Sequence, residues 1–82
     1  MSKDGFKIVC DEIRSECLNL EHRVRMLTAQ VAELECEQPQ EVNANLMLAV
    51  RHLEDARMRI GKVIQWGVQD GVSKFDDRKG PA

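Results

Sequence analysis

The run His52-Leu53-Glu54-Asp55-Ala56-Arg57-Met58-Arg59-Ile60-Gly61-Lys62-Val63-Ile64-Gln65-Trp66 decides the fold of this chain of 82 residues. Leu53, Ala56, Ile60, Val63 and Gly67 recur at spacings of three and four, which places them along one side of a helix. Large and small residues alternate in that stripe, and the small ones let a second backbone come close. The neighbouring row is Val50, Arg57 and Ile64, each seven residues apart. An arginine in an apolar row must reach water, a carboxylate or an anionic ligand.

Working outward, the stripe extends back through Ala49 and Leu46 to Val42, with Asn43 and Asn45 as N-cap candidates. Glu35 to Asn45 reads as a turn, because Pro39 cannot continue a preceding helix and biases Gln38 away from helical geometry. Before it, Phe6, Cys10, Ile13, Cys17, Leu20, Val24, Leu27, Val31 and Leu34 alternate spacings of four and three. This is a heptad seam, with Arg14, Glu21, Arg23, Gln30 and Glu37 on an expected solvated face. Two seams joined by a short turn predict an all-α fold, an antiparallel helical hairpin. Asp4 is the expected cap of a first helix starting at Phe6, and Gly71 the expected stop of the second. The domain reading is a frayed 1–5, a hairpin over 6–72 and a charged, mobile tail over 73–82.

A helical chain this short with only three aromatic side chains buries little core alone. Met47, Val50, Ile64 and Val68 flank the second seam, so the chain is expected to self-associate. A net charge of −2 argues against general DNA binding. Cys10, Cys17 and Cys36 read as packing residues in a reducing compartment. No metal-ligand spacing appears, and no apolar run is long enough for a membrane span. With no signal peptide in the sequence, the expected location is the cytosol.

The chemistry points to binding. Ser2, Ser15 and Ser73 sit in no nucleophile motif, the paired carboxylates read as solvated faces or ion pairs, and no glycine-rich loop precedes a helix. Neither an enzyme nor a cofactor is expected. Two groups of cations stand out: Arg23 and Arg25 near Thr28, and Arg51, Arg57, Arg59 and Lys62 on the second helix. Guanidinium groups pair bidentately with phosphate and stack on flat rings, which suits a nucleotide. Other readings stand beside this one. Arg57 bridges to Glu54 or to a carboxylate of another chain, Arg59 and Lys62 are surface charges, and Phe6 opens the apolar seam. Gly61 is either a tolerated helix glycine or the site of a close contact, and Trp66 packs or anchors an interface.

The run from Leu53 to Met58, followed by Gly61-Lys62-Val63-Ile64, resembles the second helix of the phage anti-CBASS cyclic-nucleotide sponges. That helical-hairpin family is shared with the phage anti-Thoeris sponges. With the preceding helix and the proline-marked turn, the resemblance covers about two thirds of the chain. It implies a short N-terminal helix before the hairpin and a hexamer built as a trimer of dimers. It also implies that cyclic dinucleotides, cyclic trinucleotides or both are held intact between chains in the host bacterial cytosol. It assigns base stacking to Phe6, where the family usually has tyrosine, and polar contacts to Arg25 and Thr28. Phosphate contact is expected from at least one of Arg57, Arg59 and Lys62. The competing expectation is a coiled-coil structural or adaptor protein without a small-molecule ligand, which the heptads alone would support.

Overall fold

A computed structural model describes residues 2–69 and Gly71; the tail expected over 73–82 lies outside them. Among the described residues the chain is two helices and one short 3₁₀ turn, without strands. Helix α1 spans Lys3–Thr28. Its cap is Ser2, not Asp4: the Ser2 hydroxyl accepts the Gly5 amide at 3.0 Å. A serine one residue before the helix reaches the third helical amide, which leaves Asp4 in the first turn, where its charge complements the helix dipole. The helix runs unbroken through Cys10 to Leu18, without the separate N-terminal helix that the resemblance implies.

α1 stops at Thr28 although the apolar spacing continues to Leu34. The Gln30 amide bonds to the Leu27 carbonyl at 2.9 Å, and a 3₁₀ turn over Val31–Glu33 follows. Apolar spacing marks which residues want cover, not where the backbone stays helical; Val31, in the turn that packs against the second helix, is buried. Helix α2 spans Pro39–Gly67. Pro39 therefore opens it, in the first-turn position where a missing N–H costs nothing and a fixed φ helps. Asn43 and Asn45, expected as caps, lie inside the helix, and Asn45 donates to the Glu41 carbonyl at 2.8 Å.

α1 and α2 pack against each other as an antiparallel hairpin. The cross-helix pairs run in opposite order: Phe6 beside Gly67, Arg14 beside Gly61, Glu21 on Arg57, Arg25 on Glu54. The face that α1 turns inward differs from the expected one. Cys10 and Val31 are buried, and Cys17 and Val24 are half-buried. Phe6, Ile13, Leu20, Leu27 and Leu34, the other row of the same seam, are exposed, up to 54% at Leu34. The inward row is completed instead by Arg14, Glu21 and Thr28, with Glu21 only 1% exposed. Glu21 and Arg14 thus leave the solvated face assigned to them. The cause lies in α2, whose row Val50, Arg57, Ile64 is the one turned inward, Val50 and Ile64 being buried. Its arginine needs a carboxylate opposite. Cys36, expected to pack, is exposed; all three cysteines are free thiols.

The result is a slab 14 Å thick, a single helical layer, with a Cα radius of gyration of 17.3 Å. A compact chain of this length would have about 12 Å. Its accessible surface is 6606 Å², against about 5,000 Å² for a compact monomer of this mass. Among the described residues no helix is long and apolar enough to cross a membrane.

α2 ends at Gly67, four residues before the expected stop, with the Val68 and Gln69 amides both on the Ile64 carbonyl. Gly71 closes the turn that follows. Its φ is +86°, its amide bonds to the Gln65 carbonyl at 2.7 Å, and its own carbonyl accepts the Gln65 side-chain amide at 2.8 Å. Gly71→Ala should cost about 1–2 kcal/mol in chemical denaturation, because an L-residue is strained at that φ. A Cβ there would also stand 2.6 Å from Cζ3 of Trp66, which must move aside. An unchanged denaturation midpoint would show that the turn contributes nothing to stability.

Candidate binding site and the charged seam

Arg57 meets its partner across the hairpin. Its Nε donates to Glu21 Oε2 at 2.7 Å and its Nη2 to Oε1 at 3.2 Å. This two-pronged pair matches the planar fork of the guanidinium to both carboxylate oxygens. The Glu21 side chain is buried while that of Arg57 is 32% exposed, so the pair is shielded on one side and wet on the other. The Arg57 hydrogen bond holds the Glu21 carboxyl below the usual carboxylate range, against the opposing effect of burial. Reciprocally, Glu21 pushes the Arg57 guanidinium up.

A second cross-helix pair lies one turn nearer the loop. Arg25 Nη2 donates to Glu54 Oε2 at 2.9 Å, both side chains being nearly half exposed. Thr28 donates its hydroxyl to the Arg25 carbonyl. Arg59 approaches Asp55 only to 3.8 Å and is well exposed. Lys62 is exposed and makes no ion pair among the described residues. Phe6 lies at the open end of the hairpin, its Cε2 3.5 Å from where a Cβ on Gly67 would be. Arg25 and Thr28 are therefore neighbours, but Phe6 is about 28 Å away along α1, at 1.5 Å per residue. One chain does not bring the three to one pocket. Arg57 faces the seam, whereas Arg59 is turned to the outer side of α2.

Two recesses lie near these groups. Leu27, Val31, Leu34, Val42 and Leu46 line an apolar one of about 390 Å³ beside the connection. Arg14, Met58, Gly61, Lys62 and Gln65 line a smaller, more polar one toward the open end. Sequence reasoning passed over Glu21 and Arg14. The signal was present: Cys10, Arg14, Cys17, Glu21, Val24, Thr28 and Val31 also alternate spacings of four and three. That stripe carries a glutamate able to answer Arg57. Compared with protein-family models, with curated proteins and with solved structures, the chain matches none.

The pair makes stability depend on acid. Glu21 has a native pKa below its unfolded value, so its contribution is complete above the ordinary carboxylate range of about 4.3 and falls away as pH drops through the lower native value. Acid unfolding of Glu21→Gln should be less steep below that range than that of the parent chain. Glu21→Leu and Arg57→Leu should each lower the thermal midpoint. The double variant should recover most of the loss, because an apolar pair strands no charge. A double variant as unstable as both losses combined would show that the two residues act independently.

Proposed function

We propose that this protein self-assembles and sequesters cyclic dinucleotides, cyclic trinucleotides or both, keeping them intact and away from the effectors of bacterial anti-phage defence. The observation that carries the assembly is the exposed row Phe6, Ile13, Leu20, Leu27 and Leu34 on a slab one helix thick. An apolar row of this length on a chain with so small a core calls for cover. The proposed assembly is a homohexamer, a trimer of dimers, as the resemblance in Leu53–Ile64 implies. The separation of Phe6 from Arg25 and Thr28 fits pockets shared between chains, in which one chain supplies the ring and another the polar groups. Of the three α2 cations expected at phosphate, Arg59 and Lys62 are exposed, while Arg57 is engaged by Glu21. The protein acts in this reading as a binder, without catalysis.

A second reading is favoured by a specific observation: Arg25 and Arg57 are each already matched to a carboxylate. A coiled-coil adaptor would use such pairs for register alone. Light scattering and melting with a panel of cyclic nucleotides separate the readings. The expected mass is a multiple of the 9.4 kDa chain, and Leu27→Glu should reduce it. A ligand at 100 times its dissociation constant should add about 2.7 kcal/mol of apparent stability. After heat denaturation, chromatography should return the nucleotide unchanged. A monomer at micromolar concentration would overturn the assembly, recovery of linear product would make the protein an enzyme, and an oligomer that no cyclic nucleotide stabilises would be the adaptor.

A further inference from the structure

Among the described residues Arg14 is a half-buried cation of the seam without a carboxylate partner. Its Nε is shut off from solvent and has no hydrogen-bond partner, and among the described residues no carboxylate pairs with its guanidinium. This contrasts with Arg57 and Arg25, each of which holds a glutamate. A buried N–H left unpaired carries a desolvation cost, so Nε marks the side of this half-buried guanidinium where a partner is missing. The surroundings show what partner would fit. Arg14 opens onto a recess of about 140 Å³ that it shares with Met58, Gly61, Lys62, Gln65 and Gln69. The two cations come from different helices and converge on that recess. Opposite the guanidinium is Gly61, where an added Cβ would stand 3.8 Å from Arg14 Cζ, Nε and Nη2. The glycine thus leaves the recess open at the cost of helix propensity. The Gln65 side-chain amide is committed to the Gly71 carbonyl, which fixes one wall.

We propose that this recess is an anion site for a phosphate group, with Arg14 as the bidentate donor and Lys62 as the second cation. A guanidinium fork matches two phosphate oxygens, and an ammonium serves as a point charge for a third. The site is distinct from the pair Arg25–Thr28, which lies at the other end of the hairpin. It does not depend on the ligand class proposed above, because inorganic phosphate satisfies the same donors.

The test is NMR of the full-length chain, following the Arg14 Nε–H signal while inorganic phosphate, and separately a cyclic dinucleotide, is added at constant ionic strength against chloride. The Arg14 signal should shift with saturation under phosphate. Arg14→Gln, read through the Lys62 signals, should weaken the affinity about tenfold or more, as loss of a charge-assisted hydrogen bond does, and Gly61→Ala should weaken it while keeping helicity. Saturation by the cyclic dinucleotide at much lower concentration would assign the site to a phosphodiester of that ligand; equal affinities would assign it to free phosphate. Phosphate that leaves the Arg14 signal in place, or affinity unaltered in folded Arg14→Gln, would overturn the site. Binding of a cyclic dinucleotide with Arg14 unmoved would overturn it and leave the proposed function standing. A phosphate response with no cyclic nucleotide bound would do the reverse.

Discussion

The hairpin depends on the pairing of Glu21 with Arg57. Both helices carry heptad rows of similar small apolar residues, so packing alone would tolerate a slide of one heptad. The charges do not. In the observed register Glu21 lies opposite Arg57, with Arg14 toward the open end and Thr28 toward the loop. Sliding by seven residues in one direction brings Arg14 against Arg57, two cations in a half-buried seam. Sliding in the other sets Glu21 against Ile64 and leaves Arg57 facing a threonine. Either slip strands a charge away from water, and a stranded charge is far costlier than a repacked valine. The pair is thus better understood as a register device than as a source of net stability.

That device has a consequence for the rest of the surface. Because α1 turns its polar row inward to satisfy Arg57, its leucine row is left at the flank of the helix pair, exposed along one edge. The buried apolar set among the described residues is Cys10, Val31, Val50 and Ile64, too little to offset the entropy of ordering two helices of this length. The larger apolar residues, Leu20, Leu27 and Leu34 among them, remain exposed. The same choice that fixes the register therefore leaves exposed the apolar row that the proposed assembly would cover.

Much of this was legible in the sequence, and the part that was not has a definite cause. Period and proline located two helices and the reversal between them. The isolated Arg57 in an apolar row left water, a carboxylate or an anionic ligand open, and the carboxylate it meets is Glu21, not Glu54 or one from another chain. What periodicity leaves open is which side of a wide apolar stripe faces the partner helix, since rows three and four residues apart fit equally well on α1. The choice was made by a carboxylate, Glu21, whose type alone suggests solvent. Boundaries failed where local chemistry outranked pattern: Ser2 over Asp4 at the first cap, Pro39 over the asparagines at the second, and Gly67 before Gly71 at the end. For the candidate site, residue types suggested cations suited to phosphate. Their distribution along a thin hairpin, and the prior engagement of Arg25 and Arg57, depend on side-chain geometry that no spacing rule contains.

The handedness of the two helices sorts these features onto opposite faces. In antiparallel helices, residues displaced in the same rotational sense from the seam lie on the same side of the pair. Ile13, Leu20 and Leu27 on α1 are displaced toward the side of Ala56 and Val63 on α2, all exposed. Arg14 and Arg25 are displaced the other way, toward Gly61 and Glu54, as their contacts show. A second chain laid on the leucine face would cover apolar surface and leave the recess of Arg14 and the Arg25–Glu54 pair uncovered. The proposed association through one face and the proposed recognition of an anion through the other would then not compete, because each would use its own side of the pair.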